Sequence, residues 1–252
     1  MCSTMSSKPR YFYKLSDNPC ITWETVQEKP GIRWNWLRLS RNPNITWEII
    51  SENRDKPWLW FGISQNPNIT WEIVKNNMNE CWCWSELSRN PNITWDIVQE
   101  TPGILWNFSS MSYNPNLTWE IVKNNDVGWD WFGVSCHPNI TWDIVQANLD
   151  KPWDWYGLSE NPNITDSIVQ ANLDKPWDWY GLGKNSSITW DFIQKNYDNP
   201  WDWRMVCWIK FGYNLDAKQR VIERTAMFKE ELLTIVLKSS CDICSRDFQT
   251  TL

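Results

Sequence analysis

The chain consists largely of one 24-residue sequence unit repeated eight times, and this periodicity restricts its possible folds more than any other feature. The tripeptide Ile-Thr-Trp, which is Leu-Thr-Trp in one copy, recurs at steps of 24 residues with a single step of 23. Asp166 takes the register of the tryptophan in one copy. The seven tryptophans of this motif are Trp23, Trp47, Trp71, Trp95, Trp119, Trp142 and Trp190. Repeats of about 20 to 50 residues are typical of solenoids and propellers, whose units share a continuous core.

A second tryptophan motif, Trp-x-Trp, marks the other half of each unit. Phe108 is the one replacement of its second tryptophan. The first tryptophans of this motif are Trp34, Trp58, Trp82, Trp106, Trp129, Trp153, Trp177 and Trp201. The two motifs together contain 22 of the 23 tryptophans, so the unusual tryptophan content is a consequence of the repeat.

The amino-acid sequence of each 24-residue unit predicts two short helices. Thr46 and its equivalents are good N-caps, and Glu48 places a carboxylate in the first turn, where the helix dipole favours it. Ile45 and Ile50 have the spacing of a hydrophobic staple. Pro57, just before Trp-x-Trp, predicts the first position of the second helix. The Asn-Pro-Asn tripeptide predicts a turn between units.

Two short helices per unit favour an all-α fold. Neither helix is long enough to be stable alone in water, so neighbouring units must stack to bury apolar surface. We therefore predict an α-solenoid of eight two-helix repeats, in which the second helix is short and either α or 3-10. The competing interpretation is a β-solenoid or propeller, because Trp-x-Trp alternates with period two and Trp favours strands. The Pro and Asp residues around that motif and the caps of the first helix favour helices.

The repeat also resembles a known family. Residues 63–70 read Ile-Ser-Gln-Asn-Pro-Asn-Ile-Thr, and Glu72-Ile73-Val74 follows. At a 24-residue period this wording resembles the leucine-rich repeat variant α-solenoids, which implies an α-helix paired with a shorter helix in each unit. The Trp-x-Trp motif departs from that family's pattern. The Trp-rich repeat sequence is also similar to that of repeat proteins of giant amoeba-infecting DNA viruses. This resemblance implies the host cytoplasm or a virion as the location.

The sequence predicts four segments. Residues 1–10 are expected to be flexible, residues 11–214 to form the solenoid, residues 215–238 to form an amphipathic capping helix, and residues 239–252 to form a flexible tail. No apolar run has the length of a signal peptide core or a membrane span. We therefore expect an intracellular protein without a membrane partner.

The sequence offers little for catalysis or metal binding. The single His, His137, stands where most units have Asn before Pro, and we interpret it as a turn residue. The only Cys-x-x-Cys pair is Cys241 and Cys244, whereas zinc prefers four ligands. We interpret these cysteines as free thiols, with a metal or redox pair as the alternative. No Ser or Cys has a second His as its base and no glycine-rich loop occurs, so we expect neither enzyme activity nor a cofactor.

Tolerance to substitution separates the two tryptophan motifs. Trp-x-Trp accepts only the aromatic Phe108, which indicates a position in the core. The Ile-Thr-Trp register accepts Asp166, and an unpaired buried carboxylate is costly, so we expect this register to be partly exposed. This predicts a ladder of rings along one edge. First-turn carboxylates are expected to line it, namely Glu48, Glu72, Asp96, Glu120 and Asp143. The alternative is that the rings pack flat between adjacent units while the carboxylates only serve the helix dipole.

An aromatic and acidic ladder favours another protein or a basic peptide as the partner, through cation–π and charge contacts. One alternative function is single-stranded nucleic-acid binding by stacked tryptophans, which the net charge of −6 disfavours. A second alternative is a structural or virion component that assembles with itself.

Overall fold

The computed structural model describes residues 15–206, and the regular elements in this range are short α-helices with no β-strand among them. Fifteen helices of four to six residues lie between residues 23 and 195, and a new helix begins about every twelve residues. This confirms the predicted all-α solenoid of two-helix repeats. By their contacts, the described residues divide into two compact units, 15–139 and 140–206. The segments predicted to be flexible, residues 1–10 and 239–252, and the predicted capping helix, residues 215–238, lie outside the described residues.

The odd-numbered helices, here called A helices, begin at the Ile-Thr-Trp motif. They are α1 (Trp23–Glu28), α3 (Trp47–Glu52), α5 (Trp71–Asn76), α7 (Trp95–Glu100), α9 (Trp119–Asn124), α11 (Trp142–Ala147), α13 (Asp166–Ala171) and α15 (Trp190–Lys195). The even-numbered B helices begin at the third residue of the Trp-x-Trp motif, which is Phe108 in one copy. They are α2 (Trp36–Ser40), α4 (Trp60–Gln65), α6 (Trp84–Arg89), α8 (Phe108–Met111), α10 (Trp131–Cys136), α12 (Trp155–Glu160) and α14 (Trp179–Lys184).

Threonine caps begin the A helices as predicted. Thr46 has an extended backbone, and its side-chain oxygen accepts a hydrogen bond from the backbone N–H of Ile49. The same contact is made by Thr22, Thr70, Thr94, Thr118 and Thr189. Thr141 and Thr165 are N-caps without this side-chain bond. In all eight A helices described, the tryptophan or aspartate after the threonine is the first residue of the helix.

The prediction that Pro opens the B helix is wrong. Helix α4 begins at Trp60, three residues after Pro57, and the middle residue of Trp-x-Trp is the N-cap. The N–H of Trp58 instead donates to the carbonyl of Lys56 at 2.8 Å, which closes a three-residue turn around Pro57. Inverse γ-turns need a φ near that imposed by the proline ring, so proline suits the turn and not the helix start.

The single-residue deletion is accommodated between helices α9 and α10, as the sequence predicts. Gly128 there has a φ of 79° and is the one glycine of residues 15–206 in the left-handed region. A residue without a Cβ adopts this conformation at little cost, so the shortened loop closes without moving the flanking helices out of register.

Four apolar columns form the core of each unit. They contain the Ile before the Thr cap, the fourth residue of each A helix, the fourth residue of each B helix and the first tryptophan of Trp-x-Trp. Ile69, Val74 and Leu87, for example, are completely buried, and Trp82 is 6% exposed. Each column repeats at the period of the sequence, so successive repeats contribute the same four positions to the core of their unit, although Trp58 of the fourth column is only half-buried.

Buried asparagines connect successive repeats. The Nδ2 group of Asn66 lies 2.9–3.0 Å from the carbonyl oxygens of Ser40, Asn42 and Ile45 in the preceding repeat. Its Oδ1 accepts a hydrogen bond from the N–H of Asn68 at 2.9 Å. Carbonyls of the preceding repeat are also bonded by the equivalent residues Asn42, Asn90, Asn114, Asn161 and Asn185. The first Asn of Asn-Pro-Asn is thus a turn residue that also bonds the preceding repeat. The series of these buried asparagines is here called the asparagine ladder.

Buried serines connect successive B helices. The Oγ of Ser40 accepts a hydrogen bond from the N–H of Leu59 in the next repeat at 3.0 Å and donates to the carbonyl of Trp36. Two successive B helices approach closely beside this contact, at Gly62. Any side chain there would clash, since a Cβ at Gly62 would lie 2.6 Å from the carbonyl oxygen of Leu37. Within each compact unit, these polar contacts and the apolar columns together hold neighbouring repeats in register.

His137 is a member of the asparagine ladder and not only a turn residue. It is 4% exposed, its Nδ1 accepts a hydrogen bond from the N–H of Asn139, and its Nε2 lies 3.0 Å from the carbonyl oxygen of Asn114. Because Nδ1 accepts, the proton is on Nε2, which donates to Asn114. Burial holds the pKa of His137 below its ordinary value, although the hydrogen bond to Asn114 opposes this shift.

We expect His137 to make folding sensitive to mild acid. The unfolded chain binds a proton near pH 6.5 while the folded chain resists it, so stability is complete above that pH and falls as the pH decreases towards the folded pKa. The loss is at most about 1.4 kcal/mol per pH unit. Urea unfolding at pH 7.5 and 5.0 should show this loss for the wild type and a smaller loss for His137→Asn. An identical pH dependence in both proteins would contradict the assignment, since His137 is the chain's only histidine.

Candidate protein-binding face

Aromatic triads join successive repeats in each unit. The ring of Trp82 lies between two rings of the preceding repeat, with centroid distances of 5.7 Å to Trp47 and 5.0 Å to Trp60. The contact with Trp60 is edge-to-face at 79°, a favoured aromatic geometry. Equivalent triads centre on Trp58, Trp106, Trp129 and Trp177. The first tryptophan of Trp-x-Trp is therefore the centre of each junction, and the first residues of the preceding A and B helices flank it.

The predicted Ile-Thr-Trp ladder is only partly a surface. Trp23 and Trp142 are each 7% exposed, so the expectation of partial exposure is wrong for these two rings. The remaining rings are half-buried, namely Trp47, Trp71, Trp95, Trp119 and Trp190. The rings of Trp47, Trp71 and Trp95 each contact the central tryptophan of the next repeat, at a centroid distance of 5.7 Å. These rings thus contribute to the junction and also leave part of their surface accessible.

The prediction that both tryptophans of Trp-x-Trp lie in the core is correct only for the first, and there with the exception of Trp58, which is half-buried. Trp60 and the other second residues of the motif are half-buried, like the five Ile-Thr-Trp rings other than Trp23 and Trp142. Both positions are the first residue of a helix, and each ring covers the central tryptophan from one side. Aromatic-only substitution at the second tryptophan wrongly suggested that this position is buried in the core. An aromatic ring is needed at the junction between repeats even where one side of that ring faces solvent.

Asp166 is accepted for a specific reason. Its carboxylate accepts hydrogen bonds from the backbone N–H of Thr189, at 2.9 Å, and from the hydroxyl of the same residue. A half-buried carboxylate that is bonded in this way does not carry the cost of an unpaired buried charge. The substitution therefore replaces a ring contact to the next repeat with a polar contact, and it says little about exposure at the other copies.

The first-turn carboxylates are exposed. Each A helix in residues 23–124 carries one beside its first residue, and all five are solvent-accessible: Glu24, Glu48, Glu72, Asp96 and Glu120. The pKa of Glu48 lies below its ordinary value, because its carboxylate accepts hydrogen bonds from the Thr46 side chain and from its own backbone N–H. The pKa of Glu24 is lowered by the equivalent bonds, of which the backbone one is the stronger. Both groups are therefore ionised at neutral pH.

These helices form one strongly acidic face, here called the acidic A face. The five A helices of residues 23–124 carry eight carboxylates and two lysines, a formal charge of −6, and all ten side chains are exposed. The B helices of residues 36–136 carry only Arg38, Glu86 and Arg89, a formal charge of +1. Asp143 lies in the second unit, on an A helix with no other charge. The negative charge is therefore concentrated on one helix layer of the first unit.

A cation of the chain itself already lies at this face. The guanidinium carbon of Arg54 lies 5.9 Å from the ring centroid of Trp47, within the range of a cation–π contact. The same guanidinium is 2.6 Å from the carboxylate of Glu80. The side chain of Arg54 is 55% exposed, so this contact forms at the surface. An Ile-Thr-Trp ring can therefore accept a guanidinium while it also packs against the next repeat.

The described residues give no indication of a metal centre. Within residues 15–206 no group of three or more His, Cys, Asp or Glu side chains is arranged to hold a metal ion. The cysteines of this range, Cys20, Cys81, Cys83 and Cys136, are free thiols. Cys241 and Cys244 lie outside it. None of the helices described is both long enough and apolar enough to cross a lipid bilayer.

Comparison with protein families, curated proteins and solved structures finds no match for this chain. The resemblance to leucine-rich repeat variant solenoids, and to Trp-rich repeat proteins of giant viruses, therefore stays a prediction from the repeat motif.

Proposed function

We propose that this protein is a non-catalytic repeat scaffold whose acidic A face binds a basic segment of another protein. The observation that supports it most is the concentration of charge: eight exposed carboxylates and two lysines on five successive A helices, against +1 on the B helices of the same unit. Carboxylates at a regular period suit an extended partner with Lys or Arg at several positions. Electrostatic complementarity of this kind mainly sets specificity and association rate.

The half-buried rings add a second kind of contact. Trp47 holds the guanidinium of Arg54, whereas the position equivalent to Arg54 is Met78 in the next repeat and Pro102 in the one after. We propose that arginines of the partner contact Trp71 and Trp95 as Arg54 contacts Trp47. Exposed cation–π contacts contribute about 0.5–1 kcal/mol each, so several repeats must act together for useful affinity.

The test is the binding of a fluorescein-labelled 12-residue peptide of alternating Arg and Ser, measured by anisotropy. The face variant carries Glu48→Gln, Glu72→Gln and Asp96→Asn. The matched control carries Asp143→Asn, Asp150→Asn and Asp174→Asn, which removes the same charge from the second unit. We expect the dissociation constant to rise at least about tenfold for the face variant and less than about twofold for the control. Salt screens charges that lie farther than a Debye length from the bound peptide, so carboxylates of the second unit should contribute little.

Carboxylate variants are preferable to Trp→Ala variants, because the rings also hold the junctions between repeats. Binding that is equally weakened in both variants would contradict the proposal, since net charge alone would then explain it. Unchanged binding in the face variant would contradict it as well. Tighter retention of single-stranded oligouridylate than of the peptide would instead favour nucleic-acid binding by stacked rings.

A further inference from the structure

Three exposed apolar side chains form a column in the unit of residues 140–206. Leu149, Leu173 and Tyr197 are 53%, 50% and 60% exposed. Each directly follows the C-cap of an A helix, so the three lie at the same position of successive repeats. A regular line of large apolar side chains is unlike the scattered single exposures that are normal on protein surfaces.

The repeat itself does not require this column. In residues 15–139 the same position holds Pro30, Arg54, Met78, Pro102 and Asp126, of which only Met78 is a large flexible apolar side chain. The bonds that hold the helix end are made by the C-cap asparagine, such as Asn148, and not by the residue after it. Leu149, Leu173 and Tyr197 are therefore not explained by the packing of their own repeats.

We propose that the amphipathic segment 215–238 of the same chain docks along this column. Val221, Phe228 and Ile235 recur every seven residues in this segment. On a helix, seven residues rise about 10.5 Å and return to nearly the same face. Packed helices of successive repeats are about 8–10 Å apart, so the two apolar series have similar spacing. Each of the three side chains of the segment can therefore meet one repeat.

Charge and chain length are compatible with this placement. Lys151 and Lys175 follow Leu149 and Leu173 by two residues, and Glu223 and Glu230 follow Val221 and Phe228 by two residues. Each lysine pairs with the aspartate before it, at 3.3 Å for Asp150 and 2.7 Å for Asp174, and both lysine side chains retain accessible surface, 40% and 29%. The 14 residues between residue 206 and Val221 can span up to about 45 Å, more than the two repeat steps that the column occupies.

Hydrogen exchange on the full-length protein tests the proposal. We expect the amides of residues 221–236 to exchange at least tenfold more slowly than those of a free peptide of the same sequence. The double variant Leu149→Ser/Leu173→Ser should remove most of this protection. Met78→Ser, which alters an exposed side chain of the same register in the other unit, should leave it unchanged. The helix amides of residues 142–195 should stay protected in all three proteins, which shows that the repeats remain folded. The urea midpoint should fall only in the double variant, because docking of the segment stabilises the folded repeats.

Three outcomes would overturn the inference. Exchange of the segment like a free peptide in the wild type would show that it does not dock. Protection that is insensitive to the Leu149→Ser/Leu173→Ser change would place the segment on another surface, such as the end of the last repeat. Protection that rises with protein concentration, together with a dimer in light scattering, would make a second copy the occupant.

Discussion

Replacing Trp82 with alanine is expected to destabilise the protein by about 3–5 kcal/mol, the usual cost of losing a buried indole. The ring is 6% exposed and contacts both Trp47 and Trp60 of the preceding repeat. Its Nε1 donates a hydrogen bond to the carbonyl of Asn77 at 2.8 Å. The substitution therefore removes the ring contacts to the preceding repeat, the hydrogen-bond donor to the Asn77 carbonyl and a buried side chain of the core.

Urea unfolding followed by circular dichroism at 222 nm measures this loss without relying on the fluorescence of the remaining tryptophans. Trp82→Phe should cost less than Trp82→Ala, because it keeps an aromatic ring and loses mainly the indole hydrogen bond. Leu105→Ala is the exposed control, since Leu105 is 90% exposed and such changes usually stay within about 0.5 kcal/mol. A Trp82→Ala protein as stable as the Leu105→Ala protein would refute the central role of this ring.

Asn66→Asp is expected to be the most damaging conservative change in the asparagine ladder. The amide Nδ2 of Asn66 donates towards three carbonyl oxygens, and the side chain is completely buried. A carboxylate has no proton to donate, so it would face these oxygens with a like charge in a site that is shielded from solvent. Leaving a buried charge without a partner costs about 3–5 kcal/mol.

The loss should be smaller in acid, because protonation of the introduced carboxyl restores one donor and removes the charge. Burial beside carbonyl oxygens raises the folded pKa of such a carboxyl above its unfolded value near 4, so the penalty is complete at neutral pH and declines as the pH falls through the folded pKa. Asn79→Asp makes the same chemical change at an exposed loop position and should alter stability by no more than about 0.5 kcal/mol. Equal urea midpoints for the two variants at pH 7 would rule out the ladder.

The local structure of this protein was predictable because its causes are local. A Thr cap, a first-turn carboxylate and a buried residue at the fourth position define each A helix within seven residues, as Thr46, Glu48 and Ile50 illustrate. The repeat period identified which residues are equivalent, and hence the columns of Ile, Val and Leu that form the core. Even the shortened loop at Gly128 could be located, since its deletion falls between two predicted helices.

The candidate site was less predictable, because its features depend on which side chain of one repeat meets which side chain of the next. Asp166 suggested an exposed register, but its carboxylate bonds Thr189 of the following repeat. The acidic residues were found from the sequence as individual first-turn residues. Their concentration on one face became evident only when the second acidic position of helices such as α3 and α7 was also seen to be exposed.

The sequence by itself determined the 24-residue repeat, its two helices and the all-α solenoid, since periodicity, capping and helix length act over short stretches of chain. Only the tertiary structure decided which tryptophan is the centre of a junction, that the turn asparagines and His137 bond the preceding repeat, and that Pro57 precedes the helix without opening it. The physical reason is that a period states which residues are alike, whereas contacts between repeats depend on how far one layer is displaced and rotated on the next.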